Sequence, residues 1–230
     1  MKNILLIGGS YGIGLALAQE LQFDYRVFIA SRTNEKIVDL NVTFIPFDAS
    51  TDKLDTTQLP EIIDGLVYFP GSINLRPFKT LKMEAFENDI QINFLNMVKV
   101  MQTVLPNLTA SHQASVILFS SIAASMGMPF HTSIAAAKGA VEGFAKAFAA
   151  EYAPKIRVNV IAPSLTDTPL ANKFLNSVEK KEKSAQRNPL KKVGMPEDLA
   201  QMAGFLISDK SNWITGQIFH VDGGMSTLLI

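Results

Sequence analysis

The chain contains no cysteine. Disulfides, thiolate metal sites and a cysteine nucleophile are therefore excluded, and a reducing compartment is permitted. Net charge is also missing, because 21 Lys and Arg balance 21 Asp and Glu. No global field then holds the chain to a polyanion or an anionic membrane. Long hydrophobic runs are absent too: no apolar stretch is long enough to cross a bilayer without polar interruption. The apolar start Ile4 to Ile7 is too short for a secretion signal and runs straight into glycines. These absences lead us to expect a cytoplasmic protein with no metal, no nucleic acid and no membrane partner.

What is present is apolar and evenly spread, with 47% hydrophobic and 18% charged residues in 230. That balance suits a sheet covered by helices on both faces, and the length favours one domain. Short runs rich in Val, Ile and Phe recur at Asn3 to Ile7, Arg26 to Ala30, Val42 to Pro46, Leu66 to Phe69, Ser115 to Phe119, Ile156 to Ile161 and Gln217 to Val221. Each is bounded by turn residues and reads as a buried strand. Helical patterns lie between most of them, at Gly12 to Leu21, Met83 to Leu105, Ser133 to Tyr152 and Pro196 to Ile207. Such alternation predicts a doubly wound, seven-stranded parallel sheet in an α/β Rossmann fold, with helices on both faces. Between Asp48 and Asp64 the chain is short and polar, so any helix there is brief. No repeat or linker divides residues 1–230, which are expected to form one domain.

The segment Gly8-Gly9-Ser10-Tyr11-Gly12-Ile13-Gly14 follows the first strand and opens an apolar helix. Gly8 permits a tight turn, Gly12 lets backbone approach a pyrophosphate, and Gly14 lets the helix pack closely on the sheet. The free N–H groups and dipole of the helix N-terminus then receive phosphates. At the end of the second strand, where a carboxylate would take the ribose hydroxyls of NAD, the chain has Ser31 and Arg32. An arginine there suits a 2'-phosphate. NADP(H) is the preferred cofactor, with NAD(H) still open; Arg32 is otherwise a solvated loop residue.

Together with later segments, these motifs resemble the short-chain dehydrogenase/reductase family, in particular its 3-oxoacyl-[acyl-carrier-protein] reductase-like members, over nearly the whole chain. The family's TGxxxGxG is similar to Ile7 through Gly14, with Ile7 in place of the threonine. Asp48 resembles the aspartate that contacts adenine. Within Asn159 to Pro169, Pro163 and Thr168 fall where the family meets the nicotinamide end. Gly194-Met195-Pro196-Glu197-Asp198 and Thr215 to Gly224 match the family's C-terminal third. After the fourth strand, however, the family's Asn-Asn-Ala-Gly is Tyr68-Phe69-Pro70-Gly71, which keeps only Gly71. Asparagines there would tie backbone groups together, so the local geometry is expected to differ.

The resemblance also implies carbonyl reduction by a Ser, Tyr, Lys and Asn set. Lys138, Ser121 and Asn93 occupy three of these positions, but four residues before Lys138 stands Ile134. Isoleucine has no proton to give. A substitute acid would have to come from elsewhere. His131 lies seven residues before Lys138, the offset of the tyrosine in the family's enoyl-reductase branch, and imidazole titrates near neutral pH. Its alternative is an ordinary loop histidine. Tyr68 is a further candidate, ranked below it. Lys173, Lys180, Lys181, Lys183, Arg187, Lys191 and Lys192 face only Glu179 and Glu182 in a region where the family forms a lid, here about 168–195. That excess would steer an anionic substrate, or else is a solvated helix face.

Two readings result. One is an NADP(H)-dependent oxidoreductase acting on a small carbonyl or alcohol with an altered proton donor. The other is a non-catalytic NADP(H) sensor or assembly subunit. Because the helices at Met83 to Leu105 and Ser133 to Tyr152 are apolar on more than one face, a homodimer or homotetramer is expected in either case.

Overall fold

The computed structural model describes residues 1–229. Seven parallel strands form one sheet: β1 (Asn3–Ile7), β2 (Arg26–Ser31), β3 (Val42–Pro46), β4 (Gly65–Tyr68), β5 (Ala114–Phe119), β6 (Ile156–Pro163) and β7 (Ile218–Val221). Their order is β3-β2-β1-β4-β5-β6-β7. The chain winds outward in one direction from β1 to β3, then crosses back to place β4 on the other side of β1. That reversal opens a crevice beyond the carboxyl ends of β1 and β4, where ligands of such sheets bind.

Burial explains why the strands lack an alternating pattern. Ile4, Leu5, Leu6 and Ile7 are all fully buried, because β1 is hydrogen-bonded on both edges and covered on both faces. Each such side chain contributes about 1.5–3 kcal/mol relative to exposure. One face packs beneath α1 (Gly12–Leu21) and α7 (Pro196–Ile207), through Leu6, Ile29, Leu17, Leu21, Ala203 and Leu206. The opposite face packs beneath α3 (Asn96–Thr109) and α4 (Thr132–Tyr152), through Leu5, Leu66, Val104, Leu108, Val141 and Ala145. Between β3 and β4 there is only a 3-10 turn at Thr56–Gln58, as the polar composition of that connection predicts.

The helix expected from Met83 to Leu105 is interrupted. It divides into α2 (Met83–Ile90), a π turn at Gln91–Leu95 and α3. The buried Asn93 supplies a reason. Its Nδ2 donates to the carbonyl of Asp89, four residues earlier, at 2.9 Å, and so takes the acceptor that an α-helical N–H would use. The hydrophobic pattern continues through the break, which is why periodicity alone reads one helix.

Two short helices, α5 (Asn172–Leu175) and α6 (Val178–Gln186), follow β6. Helix α6 buries no residue.

Candidate functional site

A cleft of about 1550 Å³ runs across the carboxyl ends of the strands. At its start, Gly8 has φ of +81° and Gly12 of +53°, a left-handed region that a side chain would strain. The Gly8 N–H donates to the Ala30 carbonyl at 2.8 Å, which anchors the turn to β2. At Gly14 the restriction is packing, since a Cβ there would lie 2.8 Å from the Gly8 carbonyl oxygen. Helix α1 then begins unprotected: Tyr11 at its N-cap makes no side-chain capping bond, and its first turn holds no acidic residue. The leading N–H groups thus lack the usual side-chain acceptor at the cleft wall, an arrangement that fits an anion.

The adenosine side is built by the ends of β2 and β3. Ser31 is buried and donates through Oγ to the Thr33 carbonyl at 3.0 Å, which shapes the turn that carries the exposed Arg32 into the cleft lining. Asp48 lies across from it, with Oδ1 accepting from the Ser50 N–H at 2.8 Å. Sequence reasoning missed two neighbours. Glu35 accepts from the Tyr11 hydroxyl at 3.2 Å, and Lys36 Nζ sits 5.2 Å from the centre of the Tyr11 ring. The Glu35 carboxyl is held below its usual range by its own backbone N–H, the Thr33 hydroxyl and then Tyr11. Arg32 and Lys36 flank that carboxylate in sequence. The signal was the Arg32 to Lys36 run itself, read only to Arg32.

At the other end of the cleft, α4 carries Ile134 and Lys138 on one face, one turn apart, as i and i+4 positions require. Both are buried and both line the cleft. Lys138 Nζ donates to the Phe119 carbonyl at 2.9 Å, its one acceptor among the described residues, so further donors remain for a ligand. Burial lowers its pKa from the ordinary 10.5 to about 8. Ser121 follows β5, and its Oγ accepts from the Ala123 N–H at 3.2 Å, which leaves the hydroxyl proton free to donate. Thr168 closes over the glycine turn: a Cβ on Gly12 would lie 3.4 Å from its side chain.

Asn93 is placed differently from the rest. It is buried behind Gly71 and does not line the cleft. A Cβ on Gly71 would lie 2.9 Å from Asn93 Oδ1 and 3.4 Å from Lys138 Nζ, so only a glycine lets the loop after β4 pass between them. The remaining residues singled out from sequence, namely Gly8 and Ser10 through Gly14, Ser31, Arg32, Asp48, Gly71, His131 and Pro163, all line this one cleft. At His131, Nδ1 lies 2.7 Å from the Pro129 carbonyl, a contact that fixes the ring at the start of α4. Tyr68 is not available as an acid. It lies inside β4 rather than after it, outside the cleft lining, and burial together with the Asp48 charge pushes its phenol up.

The cleft's outer edge is basic. Lys173, Lys180, Lys183 and Arg187 line it, and Lys173 Nζ donates across to the Ile73 carbonyl at 2.6 Å. No helix of the described residues is long and apolar enough to cross a membrane, and none of their His, Cys, Asp and Glu side chains cluster as a metal site.

Residues 9–226 match a family model described as enoyl-(acyl carrier protein) reductase. A 3-oxoacyl-[acyl-carrier-protein] reductase of Chlamydia trachomatis is 32% identical, over 98% of this chain and 97% of that protein. The corresponding reductase of Thermotoga maritima is 30% identical over 97% of each. Among solved structures, a short-chain dehydrogenase family protein from Francisella tularensis superposes with a TM-score of 0.88, at 25% identity, over 99% of this chain and 100% of that one. ElxO with NADP bound gives 0.89, at 28% identity, over 99% of each chain.

Proposed function

The chain belongs to the short-chain dehydrogenase/reductase family, and on that premise we propose that it is an NADP(H)-dependent oxidoreductase of small carbonyl or alcohol substrates with an altered proton donor. The observation that carries this reading is Lys138, a buried ammonium with one protein acceptor, facing the same cleft as an uncapped helix N-terminus on a glycine turn. Both have N–H donors to spare, at the two ends of a space suited to a dinucleotide. NADP-bound ElxO shares the fold over nearly its whole length and supports the choice of cofactor.

In this reading Gly8, Ser10, Tyr11, Gly12, Ile13 and Gly14 hold the pyrophosphate. Ser31 and Arg32 take the 2'-phosphate, Asp48 the adenine, and Gly71, Pro163, Thr168 and Lys138 the nicotinamide end. NADP(H) supplies or accepts the hydride when bound. Ser121 donates its free hydroxyl proton as a hydrogen bond to the substrate oxygen, and Lys138 fixes the ribose. Asn93 holds the loop beneath them. Ile134 stands where family members carry the tyrosine and gives no proton. Losing a general acid costs about 100-fold to 10,000-fold, whereas binding and alignment contribute separately. The absence therefore lowers turnover without removing the site.

We further propose one domain with a lid at about 168–195, a cytoplasmic setting, and a homodimer or homotetramer. The stacked, half-buried Phe144, Phe148 and Tyr152 of α4, which pack against the core and leave part of their rings uncovered, support the last of these.

NADPH consumption against a panel of carbonyl compounds, measured for wild type, Ile134→Tyr and His131→Ala, tests the reading. Wild-type turnover is expected, and its loss in His131→Ala would identify the histidine as the acid. NADPH binding with turnover in Ile134→Tyr alone would make the native protein a sensor or assembly subunit. Absence of NADPH binding at micromolar concentration would refute the cofactor assignment.

A further inference from the structure

Behind the loop after β4 lies a buried carboxyl that none of the roles above uses. Asp89, at the end of α2, is 3% exposed. Its Oδ2 is buried with no hydrogen-bond partner, and no cation is paired with it among the described residues. Its Oδ1 lies 2.8 Å from Ser72 Oγ, and Ser72 lines the cleft beside Gly71. A carboxyl in this position would have a single route to substrate, through that hydroxyl.

Asn93 fixes the direction of the contact. Its Oδ1 accepts from the Ser72 backbone N–H at 3.1 Å, so its Nδ2 is the donor, to Ser72 Oγ at 2.8 Å and to the Asp89 carbonyl at 2.9 Å. Ser72 Oγ thus always accepts from Asn93, and its one proton has two places to go. It points at Asp89 Oδ1 when the carboxyl is bare. When the carboxyl bears a proton and donates it to Oγ, the Ser72 proton turns outward into the cleft. The loop that carries Ser72 also passes Lys138, since a Cβ on Gly71 would lie 3.4 Å from Nζ.

We propose that Ser72 and Asp89 form a proton relay serving the cleft in which Ile134 supplies no proton. The inference rests on the oxidoreductase reading. In reduction, a bound nicotinamide cofactor would supply the hydride for the carbonyl carbon, and the C=O π pair would move to oxygen. That oxygen takes the Ser72 Oγ proton, directly or through one water, while Oγ takes the proton of the Asp89 carboxyl. A proton from solvent hydronium then returns to Asp89 by the same path, which completes the uptake of one proton per carbonyl reduced, and alcohol oxidation runs each transfer in reverse. Ser72 is the catalytic residue of the pair; Asp89 acts through it.

Ser72→Ala, Asp89→Asn and Asp89→Gly, compared with wild type on ethyl 3-oxobutanoate and NADPH, test the relay. Asp89→Asn preserves size, so KM and the NADPH dissociation constant, read by fluorescence, should stay within about twofold while kcat falls about 100-fold. Formate should restore part of the activity of Asp89→Gly, which loss of a merely structural contact would not allow. In the cofactor-free protein, the Asp89 carboxyl stretch, isolated as the infrared difference between wild type and Asp89→Asn, should shift in Ser72→Ala. Wild-type turnover that survives both Ser72→Ala and Asp89→Asn overturns the relay and leaves the oxidoreductase reading standing. A carboxyl band indifferent to Ser72→Ala overturns the relay on its own. No wild-type turnover despite NADPH binding overturns both.

Discussion

The two ends of the cleft are built in different ways. The end proposed for phosphates is made of backbone: a turn with two positive-φ glycines, a bare helix N-terminus, and a strand end that anchors the turn by one 2.8 Å hydrogen bond. The end proposed for nicotinamide is made of side chains brought from distant segments, with Ser72, Asp89, Asn93, Ser121, Ile134 and Lys138 arriving from two loops and two helical regions. Backbone sites accept many substitutions outside the glycines. A side-chain site can lose one group and keep its shape, because a neighbour of similar size packs in the space. In the proposed reading Ile134, only 5% exposed, does this. The cofactor can then be held while the chemistry beside it changes.

The largest expected effect sharpens that contrast. Ile134→Tyr places a phenol one turn from Lys138 and should raise kcat by about 100-fold or more, with NADPH affinity nearly constant. Steady-state kinetics beside a fluorescence titration would show the split. Equal changes in both would mean that the two ends are not separable.

Lys138 gives a stability test at the same end. Burial lowers its pKa from 10.5 to about 8, so between those values the unfolded chain binds more protons than the folded one. Stability from this residue therefore rises with pH across that window, and the cost of burying the ammonium is fully present below about pH 8. The span corresponds to a stabilisation on the order of 3 kcal/mol. Chemical denaturation at pH 7 and pH 10 should show Lys138→Met more stable than wild type at pH 7, with the gap narrowing at pH 10.

At the phosphate end, Gly14→Ala forces a Cβ to within 2.8 Å of backbone. A loss of about 1–3 kcal/mol in stability is expected, together with weaker NADPH binding, and thermal melts with and without NADPH measure both. Arg32→Ala should cost about 10-fold in NADPH affinity and leave NADH affinity unchanged, since only the 2'-phosphate differs. Equal loss for both cofactors would break the assignment of Arg32.

The same contrast explains what could be read in the sequence. Six of the seven strands match to within a residue at both ends, and the Gly8 to Gly14 turn is fully placed, because each is a local pattern. The π turn was hidden, since the apolar periodicity of Met83 to Leu105 continues across Gln91–Leu95. Asp89 had no signal. In a string it is one charge on an ordinary helix, and its meaning comes from Ser72, 17 residues earlier and on another element. Tyr68 misled for a related reason: it is the last residue of β4, and position in a string does not tell that its ring is buried in the core rather than turned to the cleft.

The most direct measurement follows deuterium from NADPH labelled at the transferable C4 position, incubated with the wild-type protein and a β-keto ester. Deuterium on the carbinol carbon of the alcohol product is the predicted result, showing hydride transfer beside Ile134. Saturable NADPH binding with no deuterium in any product would contradict it and leave the cleft as a cofactor-binding site without catalysis.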